Sequence, residues 1–176
     1  MSDFINAEPL SVGLLVLRLV VGLAMAAHGA QKLFGWFGGY GIAGTGGFFE
    51  GLGFRPGKIF AVAAGLSEFG GGVLVALGLL GPVGSALILS VMIVAALTVH
   101  WKNGFFAASN GIELPLLYAA AVVAVAFAGP GIYSLDHALG FESLSRPALA
   151  ALVLLGGVVG ALANLLVGRR AVMTSA

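Results

Sequence analysis

Five stretches of this chain approach the length of a membrane-crossing helix and are nearly free of charge: residues 10–30, 59–80, 83–101, 112–128 and 148–167. A hydrocarbon core of about 30 Å is crossed by roughly 20 apolar residues in a helix. Lipid offers the backbone no hydrogen-bond partner, so a spanning segment must be a helix or belong to a closed barrel. Barrel strands are about half this length and alternate apolar with polar residues. These runs are continuous, so the sequence predicts an all-α integral membrane protein with five transmembrane helices. Composition agrees, with 60% hydrophobic and 9% charged residues. Soluble domains carry about 25% charged residues, and so few charges could not coat a soluble particle of 176 residues.

The net charge of +1 gives no reason to expect a nucleic-acid partner. The chain has no cysteine, which excludes disulfides, thiol relays, Cys-ligated zinc and iron–sulfur clusters on this chain. Any redox role therefore needs a bound cofactor, an N- or O-ligated metal, or a partner. The 29 glycines suit close helix packing in lipid. The first run follows Asp3 and Glu8 rather than a basic segment, and reads as an uncleaved span. Gly81-Pro82 makes a turn between the second and third runs, and Gly129-Pro130-Gly131 ends the fourth. With five crossings, Lys32, Arg55, Lys58, Lys102, Arg169 and Arg170 fall on one side (side B), and only Arg146 on the side of Met1 (side A). The positive-inside rule then makes side B cytoplasmic, with the N-terminus outside and the C-terminus inside. The 33–56 connection is rich in glycine and aromatics, and Ile42, Phe48, Phe49 and Leu52 can form one side of a helix lying in the interface.

Ionisable residues inside spans are costly and mark sites of interest. Arg18 lies near the middle of the first run, and Glu68 is the one acid deep in any run. Gly22 near Arg18, and Gly65 and Gly72 beside Glu68, let these faces approach each other. The expectation is an Arg18–Glu68 pair, serving either to fix helix register or as the floor of a binding site. His28, His100 and Glu113 are expected at one depth near side B, with Lys32 and Asn110 at the same level. Two histidines and a carboxylate can ligate zinc or non-haem iron, and two histidines can ligate haem. No HxxE or HxxxH spacing supports either, so a metal or haem on His28 and His100 is disfavoured. A polar pocket for a small ligand such as a quinone headgroup is the better reading, since histidine exchanges protons near neutral pH. The glycines of Gly39-Tyr40-Gly41-Ile42-Ala43-Gly44 match a dinucleotide fingerprint but follow no strand. Gly156 and Gly160 form a GxxxG face for packing on the bundle or on a second copy. Asp136 is expected to cap a short helix.

These motifs together resemble the DoxX family of small bacterial membrane proteins. Leu17-Arg18-Leu19 with His28-Gly29-Ala30-Gln31-Lys32-Leu33 is similar to the family's opening. Glu68 with Gly70-Gly71-Gly72 and Leu77-Gly78-Leu79-Leu80 is similar to its second helix. Asn110-Gly111-Ile112-Glu113, Leu116-Leu117-Tyr118, Gly129-Pro130-Gly131 and Ser134-Leu135-Asp136 are similar to its fourth helix and exit. The resemblance implies a four-helix transmembrane bundle over residues 10–140, to which 147–168 adds a fifth, C-terminal transmembrane helix.

It also implies redox or oxidative-stress work near the quinone pool of a bacterial cytoplasmic (inner) membrane. The leading expectation is a membrane component of such a system that binds a quinone-like or other small ligand in an intramembrane pocket. Arg18, His28, Lys32, Glu68, His100, Asn110 and Glu113 are its candidate ligand-binding residues. The bilayer is the first partner, with a homo-oligomer and soluble redox proteins at the cytoplasmic face as further ones. The alternatives are a non-enzymatic scaffold docking soluble redox partners, and a small oligomeric transporter.

Overall fold

The computed structural model describes the backbone of residues 2–173 and the side chains of residues 8–168. The side chains of Asp3, Arg169 and Arg170 lie outside the described residues. The chain runs through α1 (Ser2–Phe34), α2 (Gly41–Gly51), α3 (Gly57–Leu77), α4 (Val83–Ala95), α5 (Glu113–Ala128), α6 (Leu135–Ala138) and α7 (Pro147–Met173). No strand occurs among the described residues. Helix α4 continues through a π-helical turn (Ala96–His100) and a 3-10 turn (Trp101–Asn103).

Among the described residues four helices are long and apolar enough to cross a membrane: Glu8–Phe34, Gly57–Leu77, Val83–Asn103 and Pro147–Gly168. The fourth run of the sequence, α5, has 16 residues, about 24 Å at 1.5 Å per residue. It still joins the two ends of the bundle. The loop before it folds under α4, and the segment after it bonds to α1 near Glu8 and Ser11. The 33–56 connection does hold a helix, α2, which buries Thr45 and Gly46 and packs against α3.

Glycine sets how closely α1 and α3 approach. A Cβ on Gly22 would lie 2.6 Å from Ala76 N and from Gly72 O, so only hydrogen fits at that crossing. Gly29 meets Phe69 and Gly65 in the same way one heptad later. Between the two ends of the bundle lies an apolar core, with Val21, Met25, Val75, Ile88, Leu89, Met92, Val122 and Leu154 packed together. Helix α7 packs on α4. Its contact glycine is Gly157, set against the Ala86 carbonyl, whereas Gly156 meets nothing within 4 Å. Of the expected Gly156–Gly160 face, Gly160 approaches α4 at Ser90 and Gly156 stays exposed, so on the bundle the close contact falls to Gly157.

Candidate functional site

Lys32 and Glu68 form the central ion pair. The α1–α3 register sets Gly22 beside residues 72–76 and Gly29 beside 65–69. Glu68 therefore lies at the level of residue 28, about ten residues or 15 Å along α1 from Arg18. Helical side chains lean toward the N-terminus of their own helix. Lys32 leans back down α1 to the level of Glu68, and its Nζ lies 2.6 Å from Glu68 Oε2. Arg18 leans the same way, toward side A and away from Glu68, while Glu68 on the antiparallel helix leans toward side B. The expected Arg18–Glu68 pair does not form, because the depths differ and both side chains point apart.

The pair borders a cavity of about 240 Å³. Phe48, Phe49, Phe54 and Phe60 wall it from α2, the following loop and the start of α3. Ser67, Ser90, Thr98, His100 and Asn164 supply further polar groups. His100 reaches it because α4 ends in a π-helical turn, a distortion frequent at functional sites. The carbonyls freed by that turn take side-chain donors, as lipid demands. Thr98 Oγ1 donates to Val94 O at 2.7 Å, and Asn103 Nδ2 to Val99 O at 3.1 Å. Asn110 sits behind His100 in the left-handed region (φ 62°), and its backbone oxygen lies 2.8 Å from His100 Nδ1.

Of the seven sequence candidates, the structure brings Lys32, Glu68 and His100 to this cavity, with Asn110 contributing its carbonyl from behind. Glu113 is not part of a layer with the histidines; its Oε2 accepts from Ala107 N at 2.7 Å and closes the 104–112 loop. His28 is exposed, with its ring edge-on to Tyr118 at 6.3 Å, and reaches Glu68 only through its field. Among the described residues no three His, Cys, Asp or Glu side chains converge as a metal site. Sequence reasoning gave Asn164 no role, although an amide in an otherwise apolar span is itself a signal. Helix α7 holds it at the cavity, and Gly168 one turn on packs against the Phe54 ring.

Arg18 belongs to a second polar node, at side A. It is fully buried; Nη1 donates to Ala76 O at 3.3 Å and Nη2 to Tyr133 O at 2.7 Å. Asp136, also buried, supplies the opposing charge. Its Oδ1 accepts from Leu80 N at 2.9 Å and its Oδ2 from Gly81 N at 2.6 Å. That holds the α3–α4 turn, where Leu80 takes a positive φ of 61°, a conformation that needs support in a branched residue. The helix cap expected of Asp136 is made instead by Ser134, whose Oγ accepts from His137 N. At the rim of the node, the Tyr133 hydroxyl donates to Glu8 Oε1 at 3.1 Å. That bond and the Glu8 charge push the phenol's pKa above its ordinary value. Arg18 and Ser85 line a void of about 10 Å³, room for one water.

Comparison with known proteins gives one match. The DoxX family model matches residues 13–101, about half of the chain, covering α1 to the end of the α4 span. No curated protein and no solved structure matches.

Proposed function

The chain belongs to the DoxX family, and from that premise we propose that it binds a quinone-like small ligand in the Lys32–Glu68 cavity, as the membrane component of a redox or oxidative-stress system. The observation that carries this reading is an ion pair at membrane depth facing a cavity rather than packed protein. Charges in lipid are retained where they bind or relay, and a concave apolar site with a few convergent polar groups is what a small ligand needs. Lys32 is the donor, Glu68 the acceptor and positioning partner, and His100 a proton-exchanging group at the mouth. Arg18, His28, Glu113 and the Asn110 side chain are left outside this site. The cavity is too small for haem, and its volume suits a single-ring headgroup.

The test is binding of a short-tailed benzoquinone, oxidised and reduced, to purified protein in detergent. Wild type binds, and Glu68→Gln weakens binding of both forms at least tenfold. No binding to wild type, or unchanged binding in Glu68→Gln, overturns the proposal. We place the protein in a bacterial cytoplasmic membrane with side B inside, on the exposed Arg55, Lys58 and Lys102. Because the chain has no cysteine, Lys102→Cys should be labelled by impermeant maleimide only after the membrane is opened. Those same cations support a second reading, in which soluble redox proteins dock at side B; charge reversal there should release them and leave ligand binding intact. Transport has less support, because the apolar core separates the cavity from side A.

A further inference from the structure

We infer that the cavity takes the reduced, hydroxyl-bearing form of a quinone-like ring in preference to the oxidised form, an inference that rests on the ligand-binding reading above. The choice between the two forms turns on which polar groups of the cavity can give a proton and which can only receive one. His100 Nδ1 lies 2.8 Å from the Asn110 carbonyl oxygen. A carbonyl has lone pairs and no proton, so Nδ1 carries the hydrogen, and in the neutral ring Nε2 is left with a lone pair. The carbonyl is itself held: Asn103 Nδ2 also donates to it, at 3.1 Å.

Thr98 has one hydroxyl proton, and Val94 O takes it at 2.7 Å; what its Oγ1 offers the cavity is lone pairs. Glu68 is a carboxylate held by Lys32 at Oε2, and its Oε1 has no protein donor among the described residues. Three of the polar groups on this wall are therefore acceptors only, while Ser67, Ser90 and Asn164 can each give or accept a hydrogen bond. Lys32 is the one cation beside them, and part of its donor capacity is committed to Glu68.

A quinone carries two carbonyls and can only accept. Bound here it meets Lys32 favourably but sets lone pairs against His100 Nε2 and Thr98 Oγ1, leaving buried acceptors unpaired, which is the expensive outcome. A hydroquinone of the same ring donates twice and pairs with them. The four phenylalanines, and the Ser67, Ser90 and Asn164 side chains that can turn either way, accept either ring alike, so the redox form is read by the three fixed acceptors.

The experiment measures, without oxygen, the affinities of a short-tailed hydroquinone and of its quinone for the full-length protein. Wild type should bind the hydroquinone about tenfold more tightly, a difference of 1.4 kcal/mol. His100→Phe should bring the ratio near one, and His100→Gln, whose amide oxygen can accept, should restore part of it. A quinone that binds wild type as tightly as the hydroquinone overturns the inference, as does a His100→Phe protein that keeps the ratio. In either case the ligand-binding reading survives if Glu68→Gln still weakens both forms. Wild type that binds neither form overturns both. Should His100→Phe not fold, the dimethyl ether of the same hydroquinone serves on wild type. It keeps the ring and has no donor, so it should bind as weakly as the quinone, and binding as tight as the hydroquinone's overturns the inference.

Discussion

The two polar nodes of this bundle start from similar parts and end differently. Each sets a basic residue of α1 near a buried carboxylate, that of Asp136 on α6 at side A and that of Glu68 on α3 at side B. At side A, Arg18 and Asp136 spend their hydrogen bonds on backbone: Ala76 O and Tyr133 O on one hand, Leu80 N and Gly81 N on the other. The space beside them holds about one water. At side B, Lys32 and Glu68 bond to each other and face about 240 Å³ of cavity. A buried charge whose partners are main-chain groups is fixing a fold. A buried charge whose partner is another side chain, beside open volume, has capacity left for a ligand. Arginine suits the first task because its rigid fork can serve several carbonyls at once, and lysine the second because its point charge turns on a flexible stem.

The sharpest way to break this contrast is to remove one partner at each node. Arg18→Met leaves Asp136 without its counter-charge and two carbonyls without donors. Each buried carbonyl left without its donor costs about 1–3 kcal/mol, and for a chain of this size a total loss of roughly 4 kcal/mol lowers Tm by on the order of 10 °C. Detergent-solubilised protein followed by thermal unfolding reads this directly, and whatever remains folded should bind ligand normally. A Tm within a degree or two of wild type would show that Arg18 is not a latch. Gly78→Ala attacks the same node from the other side. Gly78 has φ 62°, and a Cβ there would meet the Arg18 guanidinium. The expected loss is roughly 2 kcal/mol, by the penalty for a side chain in the left-handed region added to displacement of the arginine.

How much of this was legible in the sequence differs by kind of inference. Spans were readable because bilayer thickness sets run length directly. The close α1–α3 approach was readable because Gly22, Gly65 and Gly72 have few other uses in lipid. The family was readable from ordered motifs, and the family model confirms the part over residues 13–101. The Arg18–Glu68 pairing failed because counting residues from the ends of two runs fixes relative depth only to about two helical turns, or 11 Å, more than a salt bridge allows. Side-chain direction would have chosen Lys32 instead. The His28–His100–Glu113 layer failed for another reason. Depth along a helix says nothing about azimuth, and His28 faces outward beside Tyr118. Asn164 was visible as a lone amide, but only tertiary packing shows that α7 carries it to the cavity.

At side B the expectation reverses sign. Replacing both partners, Lys32→Met with Glu68→Leu, removes a desolvated pair and fills its place with apolar groups, which in buried pairs is often neutral or stabilising. Tm should hold or rise while benzoquinone and hydroquinone binding is lost. The matching experiment at side A, Arg18→Met with Asp136→Leu, should still destabilise, since four backbone groups lose their partners there. Equal behaviour of the two double variants would erase the distinction between the nodes. Asn164→Leu sharpens it on a smaller scale. The amide makes no hydrogen bond to protein among the described residues, so Tm should not fall. Affinity for the bound ring should drop by a factor of a few, because the cavity loses one of its polar lining groups.

The smallest effect lies at the rim of the side-A node. Tyr133 is exposed, and its hydroxyl donates to Glu8 Oε1, which favours the protonated phenol and raises its pKa above the ordinary value. A raised pKa in the folded protein means that the contact contributes below the unfolded phenol's pKa, about 10, and is lost as pH rises through the folded value. Tyrosinate absorbance in a Tyr40→Phe, Tyr118→Phe background should therefore titrate above that range. Glu8→Gln should bring the titration down toward it. Thermal stability near neutral pH should scarcely change, because an exposed contact is well solvated in either state. A large loss of stability in Glu8→Gln would mean that the latch extends outward past Arg18 to the start of the α1 span, and that the side-A node is held from its rim as much as from its buried centre.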